Sequence, residues 1–370
     1  MQAQQAPSRV STAELFFDLV FVFAITEVTG VIVSSPDGVG VGRAAVELAV
    51  IFWMYGGFAW LTNTHPPDTL PRRAVLLVGM GAFFVVALAT PHALGDSGVV
   101  FGAAYVAIVA VHAVGFIVFE GRSAIRSVAR FLPTNLLSAL LLLCAGFLHG
   151  HAVIVLWIVA ALVQVVSPFV MRLETAFTIN TEHFGERHGL VILIVLGESV
   201  VGVAAGSEYA DLSAQTVLGA LAGLLVLTTM WWLYFGTGDD ERAVEAMEAA
   251  PAARRPIRAI TGYFMAHYVM IFGVLLLAAG LRLTSGHFFR PAGAPIAWLL
   301  AIGTAAFVLG SAAFRVALHF ADPRRRALAA LACLAMTVPG RTVSTAVELL
   351  GLATILTAAF VPGTAPDSDE

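Results

Sequence analysis

A succession of long apolar runs constrains this chain more than any other feature. They lie near 14–34, 42–62, 74–91, 98–119, 128–148, 151–171, 188–207, 213–235, 257–281, 294–316, 327–340 and 343–362. Most approach the ~20 residues that a helix needs to cross a hydrocarbon core. With 59% hydrophobic and only 12% charged residues, the chain predicts an all-α polytopic membrane protein of about 12 transmembrane helices. The run 327–340 is short for a span and reads equally as a tilted or re-entrant element.

Charge placement supplies an orientation. All twenty basic residues are arginine. With a cytoplasmic N-terminus, only Arg43, Arg282, Arg290 and Arg341 fall on the far side, so the positive-inside rule predicts both termini cytoplasmic. The first run lacks a signal peptide's basic flank and cleavage site and carries Asp18 and Glu27 in its core, so it is expected to stay in the mature chain. Cys144 and Cys333 lie in apolar runs without metal-type spacing and read as core residues.

Internal symmetry is the next reading. Sliding DLVFVFAITEVTGV (18–31) onto GLVILIVLGESVVG (189–202) superposes Leu19 on Leu190, Val20 on Val191 and Glu27 on Glu198, and the same offset places Trp60 on Trp231. Two six-helix repeats of the same orientation follow as an expectation, 14–171 and 183–362. An N-terminal cytoplasmic segment (1–13), a cytoplasmic linker (172–187) and a disordered acidic tail (363–370) complete the division. The polar stretch 238–258 predicts a short cytoplasmic helix stopped by Pro251 and reads most simply as a solvated connector.

The intramembrane polar residues carry the functional expectations. Glu14 and Asp18 are i,i+4 neighbours on one helical face. Glu27 lies about 180° round and about 13 Å further along the axis. Acids near a helix start suit the dipole and can pair with arginine, which is a structural role. Glu27 and Glu198 fall deeper, where an ionised acid costs roughly 2.5–3.5 kcal/mol, so each must be hydrogen-bonded, protonated or wetted. The expected ion path therefore comprises Glu27, Glu198, His267, Thr26 and Ser199; the alternative for the acids is hydrogen bonding that fixes helix packing. The stretch EHFGERH (182–188) adds His183, Glu186 and Arg187, which with Glu14 and Asp18 form an expected cytoplasmic polar network. H-x-x-E-x-H is not the spacing that sets two histidines one turn apart on zinc, so no metal site is assigned.

ELFFDLVFVFAI at the first helix, HFGERHGLVILIVLGESVV at 183–201 and HYVMIFGVLLLAAG at 267–280 resemble the bacterial low-temperature requirement protein A (LtrA) family over nearly the whole chain. The resemblance implies a multi-pass bacterial membrane protein linked to growth in the cold, without a settled activity. A smaller resemblance joins Phe17, Asp18, Ala24, Ile25 and Thr26 to the pore-lining first-helix motif of a group of six-helix potassium channels, as an analogy for where a path runs.

No phosphate loop, nucleophile elbow or cysteine pair is present, and no basic nucleic-acid-binding face. The functional expectation is a cation- or proton-coupled transporter or channel-like protein using paired intramembrane carboxylates. The alternatives are a membrane-embedded enzyme acting on a lipid or isoprenoid, and a non-catalytic stress-adaptation protein. The expected partners are the lipid bilayer and a small solute or ion, with a homo-oligomer left open and no cofactor assigned.

Overall fold

The computed structural model describes residues 9–121, 125–170, 179–207, 213–284 and 287–360. The expected acidic tail lies outside them. All regular structure among the described residues is helical. The first six helices are α1 (Thr12–Ser34), α2 (Gly38–Thr64), α3 (Leu70–Ala89), α4 (Gly98–Glu120), α5 (Ile125–Ala145) and α6 (His151–Val170). Then come α7 (Thr181–Ser207), α8 (Ala214–Trp231), α9 (Asp239–Ala249), α10 (Arg255–Arg258), α11 (His267–Leu283) and α12 (Ala294–Leu318). The chain ends with α13 (Arg324–Ala335), α14 (Thr337–Thr342) and α15 (Thr345–Phe360). Wider π-helical turns at Trp232–Gly236 and Ala259–Ala266 follow α8 and precede α11.

Among the described residues, nine helices are long and apolar enough to cross a membrane. Three of the twelve expected spans fall outside that set. The first, 188–207, holds a single charged residue, Glu198, and runs to the edge of the described residues. The run 327–340 is split at Met336, because Pro339 has no N–H to give the Ala335 carbonyl four residues back and its ring crowds that group. The apolar part of α15, Thr345–Ala359, is shorter than a full span.

The chain forms two compact units, each built from two stretches: 1–195 with 244–268, and 196–243 with 269–370. In the first, α1 packs on α2 and α3, α4 lies between α3 and α5, and α6 packs on α5 and α2. Close crossings rest on glycine: a Cβ on Gly102 would lie 2.4 Å from the Leu143 Cα, and one on Gly146 would lie 2.4 Å from Gly98 backbone. Many outward side chains of α3, α5 and α6 are apolar and exposed, among them Leu77, Leu88, Leu137, Leu140, Leu162 and Phe169, as lipid-facing surfaces require. In the second unit α12 packs on α13, α14 and α15, and α15 on α8. Here Gly273 and Gly303 let α11 and α12 approach backbone to backbone.

Candidate functional site

The first unit buries a charged cluster where α1, α2 and the start of α7 meet. Ser11 caps α1 by accepting the Glu14 N–H, while Glu14 accepts from the Ser11 N–H at 2.9 Å and from its hydroxyl at 2.8 Å. This reciprocal capping places the Glu14 carboxylate one turn before Asp18 on the inner face of α1. Asn180 starts α7 in turn: its Oδ1 accepts the His183 N–H at 3.2 Å. His183 and Arg187 then project from successive turns of α7 toward α1.

Arg187 is 1% exposed and sits between both acids. Its Nη1 donates to Glu14 Oε1 at 2.6 Å and to Thr62 Oγ1 at 2.7 Å, and its Nη2 donates to Asp18 Oδ1 at 3.0 Å. The Tyr55 hydroxyl donates to Asp18 Oδ1 at 2.8 Å, and the rings of Phe17 and Tyr55 lie against the guanidinium. His183 Nε2 lies 3.3 Å from Glu14 Oε1.

Asn63 and Asn180 hold His183 in place. Asn63 Oδ1 accepts the Asn180 N–H and its Nδ2 donates to the Asn180 carbonyl, both at 2.8 Å, which fixes the amide's orientation. The same Nδ2 then faces His183 Nδ1 at 3.4 Å as a donor. His183 Nε2 thereby faces Glu14. The cluster holds two carboxylates against one guanidinium. Asp18 Oδ2 is buried with no hydrogen-bond partner.

The other expected site residues are placed as follows. Glu186 is exposed and accepts the Val10 N–H at 3.0 Å, apart from the Arg187 pairs. Thr26 donates to the Val22 carbonyl at 3.0 Å within its own helix, and Glu27 is half-buried in α1. Glu198 is half-buried and Ser199 buried in the part of α7 that belongs to the second unit. His267 is fully buried in the first unit, with Nδ1 3.1 Å from the Gly262 carbonyl, at the exit of the π-helical turn. Its ring lies 5.5 Å from that of His188, which sequence reasoning left unassigned. π-turns often mark positions where a helix is bent to aim a side chain. Among the described residues, no group of three or more His, Cys, Asp or Glu is disposed to hold a metal ion.

The second unit holds an ion cluster that the sequence reading missed. The stretch 238–258 was expected to be a solvated connector, yet Asp239 is 1% exposed. Arg315 grips it with two hydrogen bonds of 2.8 and 2.9 Å, and Arg326 approaches at 2.7 Å. Arg326, itself 2% exposed, also bonds Ser311 and the Leu233 carbonyl. The first residue of α9 is therefore an anchor; Ala243 and Met247 are buried with it, while Glu241, Arg242, Glu245 and Glu248 are exposed.

Residues 9–361 match the family described as bacterial low temperature requirement A protein (LtrA). The chain belongs to the LtrA family. It is also similar to the uncharacterized protein RA0937 of Rhizobium meliloti (strain 1021), 26% identical over 296 residues, which cover 76% of this chain and 70% of that protein. Each helix that builds the Arg187 cluster lies inside the matched span, and the LtrA protein described here is a membrane protein with many apolar helices.

Proposed function

We propose that this LtrA protein is a proton- or cation-coupled transporter or channel-like protein of the bacterial cytoplasmic membrane, with both termini cytoplasmic. Its Arg187 cluster is the exchange site. The observation that carries the reading is the sharing of one buried guanidinium between two buried carboxylates. Two buried carboxylates share that guanidinium, with His183 beside Glu14. An uncompensated buried charge costs several kcal/mol, so the cluster favours taking up one proton or one monovalent cation. The unpartnered Asp18 Oδ2 is the place for it. Arrival of the ion at Asp18 weakens the Arg187 Nη2 contact and leaves Nη1 on Glu14. A guanidinium that can shift its weight between two acids is the two-state element a coupled path requires.

Glu27 and Glu198 remain the carboxylates assigned further along the path, with His267, Thr26 and Ser199 beside it. The offset that relates Glu27 to Glu198 is the ground for reading the chain as two six-helix repeats, twelve helices in all, of one orientation.

Flux into sealed proteoliposomes under a potassium diffusion potential, followed with an entrapped pH dye and with rubidium, tests the proposal. Wild type is expected to carry ions, and both Asp18→Asn and Glu27→Gln/Glu198→Gln are expected to lose the flux. Wild-type vesicles as tight as protein-free ones would overturn transport; undiminished flux in the double variant would remove the deeper carboxylates from the path.

A further inference from the structure

The first unit contains a cavity of about 670 Å³, mouth included, that the charged cluster does not use. α2, α4, α5, α6 and the π-helical turn before α11 form its wall. The lining carries no Asp, Glu or Arg. Trp53, Trp60, Phe116, Phe131 and Phe264 line it, and Asn135, Ser167 and His112 supply polar groups. A wall of this kind rejects an ion, which would shed its hydration for no partner, and suits flat apolar rings.

His112 is the telling residue. It is 4% exposed, packed among Phe58, Phe116 and Phe131, and neither ring nitrogen has a hydrogen-bond partner. The Gly57 backbone is close but lies outside hydrogen-bonding geometry. An imidazole in an aromatic wall with both nitrogens unmet is costly unless something meets it. Gly57 makes room for the ring, since a Cβ there would lie 3.0 Å from His112 Nε2, and His112 itself lines the cavity. Asn135 stands ready as a second polar group, its Oδ1 held by the Trp53 indole N–H at 3.0 Å.

We infer that this cavity binds an uncharged, ring-bearing amphiphile from the lipid phase, of the alkylphenol type, with its rings against the tryptophans and its hydroxyl on His112. The inference does not depend on the ion-coupled reading. Trp53 and Trp60 provide the readout. Purified full-length protein in detergent is titrated with an alkylphenol brominated on its chain, and separately with the matched alkylbenzene that lacks only the hydroxyl. The phenol is expected to quench tryptophan fluorescence saturably, with an affinity about threefold to tenfold above that of the alkylbenzene, the span of one hydrogen bond. His112→Phe keeps the ring and removes the nitrogens, and should bring the two probes to equal affinity; Trp53→Phe/Trp60→Phe should abolish the saturable quench. Quenching that rises without saturating in wild type, or equal affinities for the two wild-type titrations, would overturn the inference whether or not the variants fold.

Discussion

Replacing Arg187 by Met keeps an unbranched apolar stem and deletes the guanidinium, leaving Glu14 and Asp18 without a cation. Breaking a buried ion pair from one side costs about 3–5 kcal/mol. The structure says how that loss divides. Glu14 still has the Ser11 N–H and hydroxyl, and His183 Nε2 beside it. Asp18 keeps only the Tyr55 hydroxyl, on the oxygen that Arg187 also used, while its second oxygen has nothing. Neutralising Asp18 in the Arg187→Met background should therefore recover most of the loss. Neutralising Glu14 should recover less, because Glu14→Gln also weakens a capping box worth roughly 1 kcal/mol. The assay is thermal unfolding of the purified protein in one detergent for wild type, Arg187→Met, Arg187→Met/Asp18→Asn and Arg187→Met/Glu14→Gln, read by intrinsic fluorescence. The expected order of midpoints is wild type, then the Asp18→Asn double variant, then the Glu14→Gln double variant, with Arg187→Met lowest. An Arg187→Met protein as stable as wild type, or a Glu14→Gln double variant above the Asp18→Asn one, would refute the reasoning.

Asp239→Asn should destabilise the second unit by about 3–5 kcal/mol, since Arg326 loses its counter-charge while staying buried; unchanged protease resistance of α9 and α13 would speak against an anchoring role. At the exposed start of α2, the Asp37 carboxylate accepts the Gly40 and Val39 N–H groups, and these bonds, the Gly40 one foremost, hold its carboxyl below the ordinary aspartate range. A depressed folded value means stability that is present above the unfolded value and lost as pH falls through the folded one. The gap between wild type and Asp37→Asn in thermal midpoint should accordingly narrow in acid, and a gap independent of pH would contradict the capping account.

Some of this was legible in the residues. The apolar runs mark where helices form, and the i,i+4 spacing of Glu14 and Asp18 puts both acids on one face whatever that face meets. Family motifs at 183–201 drew attention to His183 and Arg187. What they meet was not legible, because Arg187 and Glu14 are separated by 173 positions and only packing joins them. Asp239 was misread for the same reason: its neighbours in sequence are acidic and soluble, while its partners stand 76 and 87 positions away. Pro339 could have told that 327–340 breaks, since the missing N–H falls one turn after Ala335. The cavity leaves almost no trace in the sequence, as its wall takes residues from five separate helical segments, and a lone His112 in an apolar run looks like any packed histidine.

The central claim is that the Arg187 cluster takes up one proton or one monovalent cation at Asp18, the two competing for the same place. It is tested most directly by measuring proton release from the detergent-solubilised protein, in weakly buffered solution with a pH indicator, as sodium, potassium or rubidium is added. The account predicts saturable release by wild type of up to about one proton per chain for at least one of these cations, with none from Asp18→Asn. Release from Asp18→Asn equal to that of wild type, or no release with any of the three cations, would contradict it.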